Sequence, residues 1–93
     1  MSEIAVRTNA RIFIDCVGYI TLDAEAVALL GKPKYLRVHK RGGFLILKKS
    51  SSGLEMVSRP DGSMVSKYKI PSIAREFTYY ASVANNSLYI DMR

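Results

Sequence analysis

The first information in this sequence is what it lacks. It has one cysteine, Cys16, and one histidine, His39, in 93 residues, which excludes an internal disulfide and a zinc site of clustered Cys and His ligands. No stretch approaches the roughly 18 consecutive apolar residues of a membrane-spanning helix. Residues 1–11 have no apolar core of the kind found in signal peptides. We therefore expect a cytoplasmic protein with no metal, no cofactor and no membrane partner.

Arrangements typical of catalysis are also missing. His39 lies in a basic stretch with no carboxylate beside it in sequence to orient it as a general base. Gly42-Gly43 lacks the spacing of a phosphate-binding loop and is interpreted as a turn. Cys16 alternates with Ile12 and Ile14, which predicts a small core side chain and not a nucleophile. We expect that the protein is not an enzyme.

Negative charge is absent from one long stretch of the chain. No acidic residue lies between Glu25 and Glu55, and this window holds seven basic residues: Lys32, Lys34, Arg37, Lys40, Arg41, Lys48 and Lys49. The chain has 14 basic and 8 acidic residues, so the part outside this window has seven basic and eight acidic residues and is close to neutral. The net charge of +6 therefore comes from the window. Such a concentration is typical of a polyanion-binding protein, because phosphate contacts release condensed counterions. The alternative is a solubilising surface.

The hydrophobic pattern predicts a mainly β protein with short helices. Alternating or β-branched runs predict strands over 11–17, 19–22, 35–40, 44–48, 54–58, 64–68, 79–83 and 88–92. A helix of about two turns should begin at the N-cap Asp23 and end before Gly31. Glycine or asparagine pairs predict tight turns at 42–43 and 85–86. The basic residues therefore cluster around a β-hairpin.

The second half of the chain repeats the order strand, short helical run, hairpin. We interpret residues 1–93 as a single domain, with two compact βαββ-type repeats over 11–49 and 64–93. The alternative is an unrepeated α+β meander. These two readings differ in whether the halves are related by an internal symmetry.

Three short motifs follow one another in the first half: GYITLD from Gly18, ALLG from Ala28 and FLILKK from Phe44. In this order they resemble the "GRIxIP", "LG" and "IxLxK" motifs of the AbrB, MazE and SpoVT family of transcription factors and antitoxins. Residues 70–77 (IPSIAREF) echo the "IPxxxRExL" pattern, so the whole chain looks like a MraZ-type tandem arrangement. The resemblance implies a swapped-hairpin β-barrel, normally a dimer to which both chains contribute, that binds DNA through basic residues.

This sequence departs from the family where contact arginines are usual. It has Tyr19, Val27 and Ala28 at those positions of the first copy, and only Arg75 matches in the second. We therefore expect the contact surface on the basic hairpin, since a two-stranded ribbon fits the major groove. The expected DNA-binding residues are Arg37 and His39 on the outward face of the hairpin, Lys40 and Arg41 at its tip, and Lys32 and Lys34 at its entry. Arg75, from the second copy of the motif, is also expected to contact DNA.

The sequence-based hypothesis is a dimeric regulator of transcription that binds double-stranded DNA. One alternative is a protein-interaction module of antitoxin or phage type. Another is a small RNA-binding β-barrel, for which exposed tyrosines among Tyr68, Tyr79, Tyr80 and Tyr89 would serve as stacking surfaces. A steep loss of affinity with salt is expected of a binder that uses several phosphate contacts.

Overall fold

Short antiparallel strands make up most of the chain. A computed structural model describes residues 5–93. In this range the elements are β1 (Val6–Ile14), β2 (Ile20–Leu22), α1 (Ala24–Leu29), β3 (Tyr35–Arg41), β4 (Phe44–Ser50), β5 (Leu54–Ser58), β6 (Met64–Ser66), a 3₁₀ helix (Pro71–Ile73), β7 (Phe77–Ala84) and β8 (Ser87–Asp91). The prediction of a mainly β protein with short helices is confirmed.

The eight strands form one closed antiparallel barrel. Their order around the barrel is β1-β2-β6-β5-β3-β4-β8-β7, and β7 pairs with β1 to close it. Closure therefore uses strands of a single chain, and no strand from a second copy is needed. A barrel of eight strands is just wide enough for side chains to fill its interior.

The barrel interior is filled by every second residue of the strands. Ile12 and Ile14 of β1, Leu45 and Leu47 of β4, and Ile90 of β8 are all fully buried. Because successive side chains of a strand point to opposite faces, burial of these residues sends their neighbours to the outer wall. The side chains that a partner can contact therefore lie on the outside of the barrel and at its two ends.

The pairing is unchanged when the two halves of the chain, β1 to β4 and β5 to β8, are exchanged. β3 pairs with β5 and β4 pairs with β8, so the β3–β4 hairpin lies between two strands of the second half. In the same way β7 pairs with β1 and β8 with β4, which puts the β7–β8 hairpin between two strands of the first half. Four of the eight strand pairings in the barrel therefore join one half of the chain to the other.

The helix begins where the sequence predicts. The carboxylate of Asp23 accepts a hydrogen bond from the Ala26 amide (2.8 Å) and another from the Arg11 amide (3.0 Å). The first caps the helix and the second ties its start to β1. Ala26 and Val27 are the buried residues of α1. In the second half, where residues 72–77 form the matching run, only the 3₁₀ helix is present.

The prediction that Cys16 is a core side chain is wrong. β1 ends at Ile14, and the Asp15 carboxylate accepts hydrogen bonds from the amides of Val17, Gly18 and Tyr19. These hydrogen bonds close a tight turn and lower the pKa of Asp15, and the bond from the Tyr19 amide has the largest effect. Cys16 lies in this turn and is exposed, because the alternation of the strand does not continue past Ile14.

We predict that the Cys16 thiol reacts in the folded protein. Since the side chain is exposed, a thiol reagent such as Ellman's reagent should modify one thiol per chain in native buffer at a rate close to that in denaturant. Reaction that requires denaturant would contradict the placement of Cys16 in an exposed turn.

The same turn depends on a glycine. Gly18 has a φ of +103°, and a Cβ added there would overlap the carbonyl oxygen of Ile70. The Gly18 carbonyl also accepts a hydrogen bond from the Ile70 amide (2.9 Å). The close approach of these two backbones joins the first turn to the start of the 3₁₀ helix.

We predict that Gly18→Ala lowers the free energy of unfolding by more than about 2 kcal/mol, because it combines a disfavoured φ with a backbone clash. Gly42→Ala is the matched control: it also has a positive φ (+57°) but nothing within 4 Å of the added Cβ. Its cost should be about 1 kcal/mol. Urea unfolding of both variants measures the difference, and equal losses would contradict the contact with Ile70.

Candidate nucleic-acid interface

The β3–β4 hairpin presents basic side chains on the outer wall. In its register Arg37 lies opposite Lys48, and His39 lies opposite Ile46. Both pairs alternate with Leu45 and Leu47, which are buried inside the barrel. Arg37, His39 and Lys48 are therefore directed outward by the same alternation that forms the core.

These side chains surround a shallow depression of about 280 Å³. Its lining consists of Arg37, His39, Lys48, Lys49 and Ser50. Three permanent cations and an imidazole thus meet in one place, and no carboxylate is among them. The depression is suited to an anion such as a phosphate group, which can accept several charge-assisted hydrogen bonds at once.

The positive charge of the hairpin is not neutralised by the described part of the chain. Within residues 5–93 the ion pairs are Arg11–Asp23, Lys67–Glu55 and Arg93–Asp91, and none involves a basic residue of the 32–49 window. Lys49 is constrained differently: its ammonium donates to the Gly31 carbonyl (3.1 Å), which ties the end of α1 to the hairpin. The charges of Arg37 and Lys48 are therefore available to a partner.

Two of the predicted site residues meet at the end of the barrel instead. Lys40 lies opposite Leu45 in the hairpin register and so shares its inward face. There Lys40 and Arg75 line a second depression of about 190 Å³, together with Ser72 and Met92. The Arg75 guanidinium donates to the Met92 carbonyl (2.8 Å), which holds it at this end. This pair does not line the Arg37 depression.

The other predicted residues are dispersed. Arg41 lines an apolar groove of about 540 Å³ with Phe44, Ile46 and Tyr89. Lys32, with a φ of +52°, and Lys34, whose ammonium lies 5.9 Å from the Tyr35 ring centre, belong to the exposed connection between α1 and β3. Of the expected DNA-binding residues, the structure thus brings only Arg37 and His39 together in one depression. The other basic residues of that depression are Lys48 and Lys49.

Lys48 and Lys49 are not among the DNA-binding residues expected from the sequence, although both lie in the basic window. The sequence does predict the direction of Lys48. If residues 44–48 form a strand with Leu45 and Leu47 facing inward, alternation directs Lys48 outward. Its position opposite Arg37 also follows from a two-residue turn at Gly42-Gly43. The convergence of Lys40 and Arg75, far apart in sequence, carries no comparable signal.

The tip of the hairpin is held by the last residues of the chain. The Met92 amide donates to the Gly43 carbonyl (2.9 Å), and the Arg93 guanidinium lies 4.8 Å from the centre of the Phe44 ring. Arg93 also donates to the Asp91 carboxylate through Nε (3.0 Å) and Nη2 (2.9 Å). The hydrogen bonds from the Arg93 side chain and amide lower the pKa of Asp91 to about 2.

We predict that the Asp91 carboxyl titrates near pH 2, and that Arg93→Ala moves its pKa back toward 3.8. Because the pKa is lower in the folded state than in the unfolded one, the stabilisation is present above about pH 4 and is lost as the pH falls toward 2. An NMR titration of the carboxyl carbon measures both values. A midpoint near 3.8 in the unsubstituted protein would contradict the clamp.

Comparison with known protein families, curated proteins and solved structures gives no match for this chain. Within residues 5–93 no helix has the length and apolar character needed to cross a membrane. The same residues hold no cluster of three or more His, Cys, Asp or Glu side chains arranged for a metal ion. The feature of the described residues that bears on function is therefore the charged outer wall.

Proposed function

We propose that the protein is a DNA-binding regulator of transcription that contacts double-stranded DNA through the outer face of the β3–β4 hairpin. The observation that carries the proposal is the depression where Arg37, His39, Lys48 and Lys49 meet. No ion pair with the described residues offsets their charge. Such a surface suits a polyanion better than a neutral or basic partner.

We expect a duplex to lie against the outer face of the hairpin, with its phosphates on the cations. The hairpin is part of the barrel wall, because β3 pairs with β5 and β4 pairs with β8, so it does not enter the major groove as a separate ribbon. Phosphate contacts would come from Arg37, Lys48 and Lys49, while the His39 imidazole can donate or accept at a base edge or phosphate. About three phosphate contacts imply a slope of about −2.7 in a plot of log affinity against log salt.

We also propose that the chain is related to the AbrB-like family. We propose that the exchange of hairpins between the two halves is a swapped-hairpin barrel contained in one chain, with the βαββ-type repeats over 11–49 and 64–93 as its related parts. We also propose that the protein is cytoplasmic and forms a homodimer. Because closure is already complete within one chain, the two copies would meet through the outside or the ends of their barrels and would not share strands. Sedimentation equilibrium gives its mass directly.

The test reverses the charge of the depression. Arg37→Glu with Lys48→Glu should weaken binding of a random-sequence duplex at least about tenfold at 0.1 M salt and flatten the salt slope. Arg59→Glu with Lys69→Glu is the matched control, since it makes the same change in net charge at exposed residues outside the hairpin. Gel shifts at two salt concentrations measure the effect.

Two outcomes would contradict this proposal. In one, both double variants lose the same affinity, which would mean that total charge and not the hairpin controls binding. In the other, RNA of the same length is retained and duplex DNA is not, which would favour the RNA-binding alternative. Circular dichroism of each variant confirms that the barrel is intact in either case.

A further inference from the structure

A bulge in β1 creates a second feature on the outer wall. Arg7 lies opposite Ser82 and Arg11 lies opposite Tyr80, so residues 8–10 of β1 face the single residue Ala81 of β7. The Thr8 hydroxyl donates to the Ala81 carbonyl (2.8 Å) and accepts from the Ala10 amide (3.0 Å). These two hydrogen bonds take the place of the regular backbone pairing between β1 and β7, which is interrupted here, and they give the bulge a defined shape. Bulges commonly re-aim side chains beside functional sites.

The bulge opens a pocket of about 450 Å³ lined by Arg7, Thr8, Asn9 and Tyr80. The Tyr80 side chain is 56% exposed, although it is a large aromatic residue in the middle of a strand. Within residues 5–93, the guanidinium of Arg7 and the amide of Asn9 form no hydrogen bond or ion pair. An aromatic ring, an amide and a guanidinium thus surround one pocket, and the amide and the guanidinium have no partner among the described residues.

We propose that this pocket binds an unpaired base of a single-stranded nucleic acid, stacked on the ring of Tyr80. Exposed aromatic rings next to cations are the usual platform for single strands, because every base has a face that can stack. The Asn9 amide offers a donor and an acceptor for a base edge. Arg7 supplies either a phosphate contact or a further base-edge donor.

The pocket lies on the same wall as the hairpin but apart from it. Directly paired residues cross five strands in the order His39, Ile46, Tyr89, Ser82 and Arg7. Four strand spacings separate the ends of this row, or about 19 Å along the curved wall. The two surfaces can therefore be changed independently, and the base pocket does not rest on the proposed duplex-binding function.

A second exposed tyrosine provides the control. Tyr68 is 58% exposed, close to the value for Tyr80, but it lies outside the strands and lines none of the depressions described above. The Lys67 ammonium lies 5.8 Å from the centre of its ring. If an exposed ring beside a cation were sufficient for binding, the two tyrosines would behave alike, so a difference between them would come from the pocket around Tyr80.

The experiment measures binding of the whole chain to fluorescent 12-nucleotide strands by anisotropy. One probe is oligo-dT, and the other has the same phosphates but abasic sugars. Tyr80→Ala should weaken oligo-dT binding about tenfold, whereas Tyr80→Phe, which keeps the ring, should stay within about twofold. Tyr68→Ala should leave it unchanged. The abasic strand should bind weakly and equally to the unsubstituted protein and Tyr80→Ala.

The proposal is overturned if Tyr80→Ala binds oligo-dT like the unsubstituted protein, if the abasic strand binds as tightly as oligo-dT, or if oligo-dT does not bind. Thermal unfolding of Tyr80→Ala shows whether any loss comes from a damaged barrel, and Asn9→Ala provides a second variant of the same pocket. Duplex binding by the Arg37→Glu, Lys48→Glu variant reports separately on the hairpin. If the hairpin variant binds duplex DNA normally while Tyr80→Ala loses oligo-dT binding, the proposed function fails but the base pocket is still supported.

Discussion

The register of the β3–β4 hairpin determines both the core and the charged surface. Because side chains alternate along a strand, burying Leu45 and Leu47 in the barrel directs Lys48 outward, and pairing directs Arg37 beside it. A slip of one residue would expose the leucines and bury cations, at a large cost in free energy. The hydrophobic interior therefore stabilises the arrangement of charge that we propose binds DNA.

Closure of the barrel extends this constraint to the whole chain. Each hairpin pairs on its outer edges with strands of the other half, so neither half has complete sheet neighbours by itself. The outer wall from His39 to Arg7 combines β3, β4 and β1 of one half with β7 and β8 of the other. Any partner that spans this wall contacts both halves, and the surface exists only when they have assembled.

Elements with a strong local pattern could be predicted from the sequence, and those set by distant contacts could not. The N-cap Asp23, the Gly42-Gly43 turn and the strand 54–58 are found as expected. β1 begins at Val6, not at residue 11, because pairing with β7 makes a strand of the polar segment 6–10 despite its bulge. The outward placement of Arg37 and His39 follows from alternation, while the meeting of Lys40 with Arg75 depends on the path of the barrel.

We propose that a polyanion contacts the outward face of the hairpin. Amide NMR spectra of the whole chain titrated with a DNA duplex test it most directly, since they report which strands sense the ligand. We predict the largest shifts in residues 35–50, around Arg37 and Lys48, with small shifts in β5 and β6. Shifts concentrated on β5 and β6, or no shifts at saturating duplex, would contradict it.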